Sequence, residues 1–189
     1  MDTLQTLMDI LYKRRSTRVY DAQKPVEPEK IKTLLEAAMA APSACNLQPW
    51  EFIIINNNPE GIKSLKECIG VQNGRYYNAP SAFVVCANTS YIPWESSAVE
   101  DTSAAIENMM LAAAVMGLGT VWIGDIEREK IRSILDIPAH VAVNSVVLFG
   151  YPAESKAPRT QYNEEAVYFD KYDPQREHPE RTIALRFKP

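Results

Sequence analysis

Two polar stretches in the first third of the chain hold the side chains best suited to chemistry: Lys13-Arg14-Arg15-Ser16-Thr17-Arg18 and Pro42-Ser43-Ala44-Cys45-Asn46-Leu47-Gln48-Pro49-Trp50. The first follows a helical period and enters Val19-Tyr20, so it reads as extended chain with Arg14, Ser16 and Arg18 on one side. Guanidinium forks beside a hydroxyl suit a phosphate, because arginine is always charged and grips oxygens in pairs. Each such bond contributes roughly 1.5–3 kcal/mol once water is excluded. The second stretch offers serine, asparagine and glutamine, which donate and accept along the edge of a flat heterocycle. Together they predict a nucleotide-like ligand, charged at one end and aromatic at the other.

These stretches are set between elements that the hydrophobic period defines. Leu4, Leu7, Met8 and Leu11 predict a helix over about 2–13 with one apolar stripe. Glu27-Pro28-Glu29 opens a second helix, since proline suits the first turn and acids there favour the dipole. Its inward face reads Ile31, Leu34, Leu35, Ala38 and Met39, and Pro42 ends it. Residues 51–55 predict a central strand buried on both sides, 59–69 a short helix, and 82–87 a second core strand. A helix over about 98–116 is apolar nearly all round and stops at Gly117 in the left-handed conformation. Strands at 120–123 and 142–149 flank a helix at 127–135. Beyond Gly150-Tyr151-Pro152, residues 154–189 are polar and punctuated by proline, which predicts an extended arm needing a surface to lie on. A second subunit supplies one. Helices mixed with core strands indicate an α+β or α/β sheet fold, one domain over 1–189.

The chain has 189 residues, enough for a real core, and a net charge of -4. Net acidity argues against a nucleic-acid binder and makes the basic run at 13–18 a local feature. The first residues lack the apolar core of a leader, and no apolar run is long enough for a bilayer, so the expectation is a cytoplasmic protein that engages no membrane. Cys45, Cys68 and Cys86 are widely spaced, which suits reduced thiols rather than disulfides or a metal site, and Cys45 reads as a small packing residue. Gly117-Leu118-Gly119 follows a helix and enters a strand, the reverse of the dinucleotide fingerprint. Phosphate-loop, nucleophile-elbow and zinc-peptidase motifs are absent, and His140 and His178 are isolated.

Arg-x-Ser-x-Arg at 14–18, Pro-Ser-x-x-Asn-x-Gln-Pro-Trp at 42–50 and Gly-Leu-Gly-Thr-x-Trp-Ile-Gly at 117–124 stand in one order that resembles the nitroreductase family of FMN-dependent oxidoreductases. The resemblance runs through Gly150-Tyr151-Pro152-Ala153-Glu154. It implies an α+β fold with a central, mostly antiparallel sheet flanked by helices and a C-terminal arm wrapping a partner subunit, and a homodimer with an FMN at each of two interface clefts, NAD(P)H as electron donor and a small-molecule acceptor. Arg14 would hold the phosphate with Ser16 close by, and Arg18 would lie near the pyrimidine side as an electrostatic stabiliser. Pro42, Ser43, Ala44 and Asn46 would contact the cofactor, with Ser43 and Asn46 coming from the other subunit's loop. Gln72, or Asn73 as a near-equal candidate, would face the ring or ribityl chain, and the backbone of Ile123, Gly124 and Asp125 would pass the reactive N5. Arg159 matches a basic residue of the phosphate clamp. Gln161 replaces a second one and shifts the burden to Arg14 and Arg15.

The implied reaction is hydride transfer from nicotinamide to N5 and then to a nitroaromatic, quinone or similar acceptor, by alternating use of one cleft. Flavin carries the electrons, so no catalytic side chain and no metal is expected. Alternatives are a specialised enzyme on the same fold (reductive dehalogenase, flavin-fragmenting enzyme or biosynthetic dehydrogenase), a flavin-binding protein without turnover, or a basic-patch module without cofactor. Tyr91 and Trp94 are candidates for shaping the acceptor pocket.

Overall fold

A computed structural model describes residues 2–70, 77–90, 92, 95–159 and 162–177. The elements run α1 (Thr3–Lys13), α2 (Pro28–Met39), β1 (Trp50–Asn56), α3 (Pro59–Lys66), β2 (Ser81–Asn88), α4 (Glu95–Val115), β3 (Gly119–Ile123), α5 (Arg128–Ile134) and β4 (Val141–Gly150). The strands form a sheet of order β1-β2-β4-β3 in which every neighbouring pair is antiparallel.

Alternation along β2 builds a core on each face of that sheet. Ala82, Val84 and Cys86 pack with Ile62 and Leu65 of α3 and Ile131 of α5. Phe83 and Val85 face the other way, into Leu34 and Ala38 of α2 and Ile106 and Met109 of α4. The result is three layers, helices on both sides of a sheet whose middle strands are fully covered. At the centre the Phe83 and Phe149 rings stack with centroids 4.5 Å apart.

Local chemistry explains where the elements stop. The Asp2 side chain accepts from the Leu4 N–H at the start of α1, and Pro28 opens α2. Gly117 takes φ +72° after α4, and the N–H groups of Leu118 and Gly117 return to the carbonyls of Ala113 (2.9 Å) and Ala114 (3.3 Å). Only glycine enters that left-handed position without strain, so the αL stop expected there is the one found.

Several sequence expectations need correction. Residues 50–56 form an edge strand rather than a central one, with Glu51 and Ile54 exposed, because an isoleucine run reports apolar content and not the number of neighbours. Met39 is 49% exposed although it fits the helical period. The third helix ends at Lys66 and the long helix begins at Glu95. Cys45 is exposed and packs against no core, since its loop projects from the surface. Along 154–159 the chain returns beside α1, the Arg159 N–H donating to the Tyr12 carbonyl at 3.0 Å. Residues 162–177 include a short turn at Glu164–Ala166 and belong to neither core. Among the described residues no helix is long and apolar enough to cross a membrane.

Candidate functional site

The basic segment is held as a short companion to β3. Arg14 caps α1, and Ser16 bridges Thr120 in parallel while the Thr17 N–H donates to the Thr120 carbonyl at 2.8 Å. Thr17 is buried directly over Gly119, where a Cβ would stand 2.5 Å from its Oγ1, so the close approach requires glycine. Tyr20 anchors the far end. Its hydroxyl donates to the Thr17 carbonyl at 2.8 Å, burial pushes its pKa well above the ordinary phenol value, and the Asn78 amide pairs with its backbone in both directions.

Beside this segment lies a hollow of about 200 Å³, lined by Lys13, Arg14, Arg15, Lys156 and the chain from Gly117 to Thr120. Arg14 Nε stands 3.4 Å from a Glu107 carboxylate oxygen on α4, and Arg15 donates to the Ala157 carbonyl. Ser16 and Arg18 are not among the walls. Arg18 folds its guanidinium back onto the Ser16 carbonyl at 3.3 Å, and its Nε is buried with no hydrogen-bond partner among the described residues. A buried donor left unmatched in this way is costly, and native proteins rarely keep one without a use.

Lys156 is a member of this cluster that sequence reasoning missed. Its ammonium donates to the Ser16 carbonyl at 2.7 Å and pairs with Glu154 at 2.7 Å. That bond, with help from the Arg18 N–H, holds the Glu154 carboxyl below its ordinary pKa. The available signal was a second cation three residues before Arg159. Arg159 itself is exposed and tied to α1 through its backbone.

At the other end of β3 the chain turns through Ile123, Gly124 and Asp125. Ile123 is buried, whereas Gly124 and Asp125 are exposed, and a Cβ on Gly124 would meet nothing within 4 Å. The turn is pinned from two sides. Arg128 donates to the carbonyls of Gly124 (3.2 Å) and Asn144 (3.3 Å), the latter placed by a β-bulge opposite Val85 and Cys86. The Gly70 N–H donates to the Asp125 carbonyl at 2.9 Å, beside a bridge between Ile69 and Ile126. Nothing local in sequence marks Arg128 and Asn144, since a bulge depends on cross-strand register. Gln72, Asn73, Tyr91 and Trp94 lie outside the described residues.

The loop at 42–49 is a compact, strained turn. Cys45, Asn46 and Gln48 adopt φ of 50°, 56° and 50°, which costs of order 1–3 kcal/mol at a non-glycine residue and marks functional segments. Ser43 Oγ accepts from the Gln48 N–H at 3.0 Å, and Asp101 of α4 accepts from the Ala44 N–H at 2.9 Å. Pro42 and Asn46 are exposed, and Ser43 and Ala44 half-buried. Among the described residues no hydrogen bond or ion pair joins this loop to 14–18. The two hang from α4 at Asp101 and Glu107, roughly 9 Å apart along the helix axis.

The sequence and the fold are similar to those of known proteins. The family model described as "Nitroreductase family" matches residues 11–75 and 70–151. An Archaeoglobus fulgidus protein assigned as an NADH dehydrogenase/NAD(P)H nitroreductase is 38% identical over 184 residues, covering 94% of this chain and 99% of its own. A Bacteroides thetaiotaomicron crystal structure with the same assignment superposes with a TM-score of 0.79 at 31% identity, covering 88% of this chain and 98% of the other. The FMN-dependent nitroreductase of Clostridium difficile gives 0.78 at 30% identity, with 87% and 99% covered. With the family model spanning most of the chain and a 38% identical relative covering 94% of it, this protein belongs to the nitroreductase family.

Proposed function

We propose that this chain is an FMN-dependent oxidoreductase that takes hydride from NAD(P)H and passes it to a nitroaromatic, quinone or similar acceptor, working as a homodimer. One observation carries the reading: the cation-lined hollow and the open backbone at Gly124 lie at the two ends of the same strand. Thr120 and Gly124 are four residues apart, roughly 13 Å at the rise of a strand, comparable with the reach from a phosphate through a ribityl chain to a flavin ring. The residues present fit that group. The unmatched Arg18 Nε, the uncrowded Gly124 and the arginine-rich hollow are a donor, a resting place and an anion site.

Bound FMN would supply hydride acceptance and release at N5. The chain's own part is to bind and to orient. Arg14 and Arg15 neutralise the phosphate, with Lys156 as a third cation over the same hollow. Arg18 sets a positive field on the pyrimidine side, fixed in advance by its bond to the Ser16 carbonyl. Arg128 draws the Gly124 carbonyl toward β4 and so fixes the orientation of the turn that faces the reactive edge. No side chain needs to move a proton to the reacting carbon.

The homodimer reading rests on apolar surface. Leu4, Leu7 and Leu11 of α1, with Val99 and Val115 of α4, are exposed, and α1 has no buried residue. A second copy that covers these helices would bring its own 42–49 loop toward the cleft, consistent with Ser43 and Asn46 serving the other subunit's flavin. The aromatic side chains at Tyr162, Phe169 and Tyr172 of the arm suit the same partner. The protein is expected to purify yellow, to bleach on anaerobic titration with NADH or NADPH, and to regain colour with an acceptor under ping-pong kinetics. A colourless protein that ignores FMN would end this reading. Arg14→Ala should lose roughly 2–3 kcal/mol of FMN affinity, about thirty- to hundredfold, measured by flavin fluorescence titration of the apoprotein.

A further inference from the structure

A second and larger cavity, of about 1000 Å³, opens between α3 and the chain that enters β2. Its size matches the upper end of small-molecule sites. Ile62, Ile69, Pro59, Ala79 and Pro80 give it an apolar floor, with Tyr77 at the side. Lys63 and Lys66 of α3 and Lys130 of α5 stand on its walls against a single carboxylate, Glu67. Among the described residues none of these lysines lies within 4.0 Å of a carboxylate. Lys130 donates to the Glu67 carbonyl at 3.2 Å instead. Lys66 is half-buried, and burial holds its ammonium below the ordinary lysine pKa with no anion to offset the cost. Asn58 and Asn78 are spent on the cap of α3 and on Tyr20, which leaves the side-chain amides of Gln23 and Asn57 without a hydrogen bond among the described residues. An apolar floor under uncompensated cations is a site for an anion that carries a flat, apolar body.

The position of the cavity narrows the class. Gly70 lines it and hydrogen-bonds the Asp125 carbonyl, and a Cβ on Gly70 would stand 2.1 Å from the Asp125 carboxylate. One wall of the cavity therefore touches the Ile123–Asp125 turn. We propose that this cavity receives the phosphate-bearing adenosine half of the dinucleotide donor while its nicotinamide lies at that turn, an assignment that rests on the oxidoreductase reading above. The ammonium groups of Lys63 and Lys66 face the phosphates, and the adenine lies on the Ile62–Pro80 floor.

The test is anaerobic stopped-flow reduction of the FMN-loaded protein by NADH, by NADPH and by reduced nicotinamide mononucleotide, which lacks the adenosine half. Lys63→Ala and Lys66→Ala together should raise the apparent Kd for both dinucleotides by at least about tenfold, with the limiting reduction rate and flavin content kept. Reduced nicotinamide mononucleotide should reduce variant and wild type alike, and ADP-ribose should inhibit only the wild type. Among the described residues Lys63 and Lys66 make no ion pair, so the double variant is expected to fold. Equal dinucleotide Kd values in variant and wild type, or an equal loss with the mononucleotide, would overturn the cavity assignment and leave the enzyme reading intact. A wild type that holds FMN but is bleached by neither dinucleotide would overturn both.

Discussion

β2 and α1 are both rich in apolar residues and meet opposite fates. Ala82 through Cys86 are fully buried, each face of the strand against its own pair of helices. Leu4, Leu7 and Leu11 are 63%, 49% and 38% exposed. The contrast separates two kinds of hydrophobic pattern: one that the chain closes on itself, and one that it leaves on its surface, which the homodimer proposal assigns to a second copy. The cationic hollow sits at the boundary between the two, with Arg14 leaving the end of α1 and β3 extending from the closed sheet.

The largest expected effect comes from attacking the open half. Leu7→Asp with Leu11→Asp removes two half-exposed leucines from each copy, four per dimer, and covering the exposed part of each contributes about half of the roughly 1.5–3 kcal/mol of full burial, so dimer association should weaken by about 3–6 kcal/mol. Sedimentation equilibrium should read a monomer at micromolar concentration, with flavin lost and far-ultraviolet dichroism retained. A variant that stays dimeric and yellow would show that this stripe is not the interface.

Phe83→Ala attacks the closed half. It empties the space beside Phe149 at the heart of the sheet and should cost about 3–5 kcal/mol in chemical denaturation. If both classes of variant lowered unfolding stability equally and left the dimer untouched, the distinction between the two regions would be lost.

Much of the first region was legible in the sequence because burial there follows local period. The continuous apolar run at 82–87, the alanine-rich 98–116 and the stop at Gly117 each depend on neighbours in the chain. What failed was information about how many elements pack on a given one. The isoleucines of 53–55 could not say that β1 is an edge, and Met39 could not say that its side of α2 faces outward. The basic segment and the 42–50 loop were visible as residue types in order. Lys156, Arg128 and the Asn144 carbonyl were hidden, because they enter through tertiary contacts and through a bulge that only cross-strand register creates.

Two glycines at the ends of β3 refine the comparison within the site itself. Gly119 is packed under Thr17, so Gly119→Ala must push the basic segment outward at a cost of about 1–3 kcal/mol. Gly124 has open space around it, so Gly124→Ala should leave the apoprotein within about 0.5 kcal/mol of wild type. Its effect should appear only in FMN binding, where the added methyl occupies the space assigned to the ring. Thermal melts of the two apoproteins beside flavin titrations separate the cases. A Gly124→Ala protein that binds FMN as tightly as wild type would move the ring away from this turn.

The smallest effect concerns the tie between the arm and the basic segment. Glu154 bonds Lys156 and accepts from the Arg18 N–H, and these interactions hold its carboxyl below the ordinary range. A folded-state pKa below the unfolded one adds stability that is complete above the unfolded value and disappears as pH falls through the folded one. The tie should therefore persist through mildly acidic conditions and release only below the ordinary glutamate range, with a contribution under about 1 kcal/mol because the pair is partly solvated. An NMR titration that follows the Arg18 amide should show its midpoint below that of an exposed glutamate, and Glu154→Gln should abolish the transition. A midpoint in the ordinary glutamate range would mean that Lys156 does not hold Glu154 in solution, and that the basic segment is organised from β3 alone.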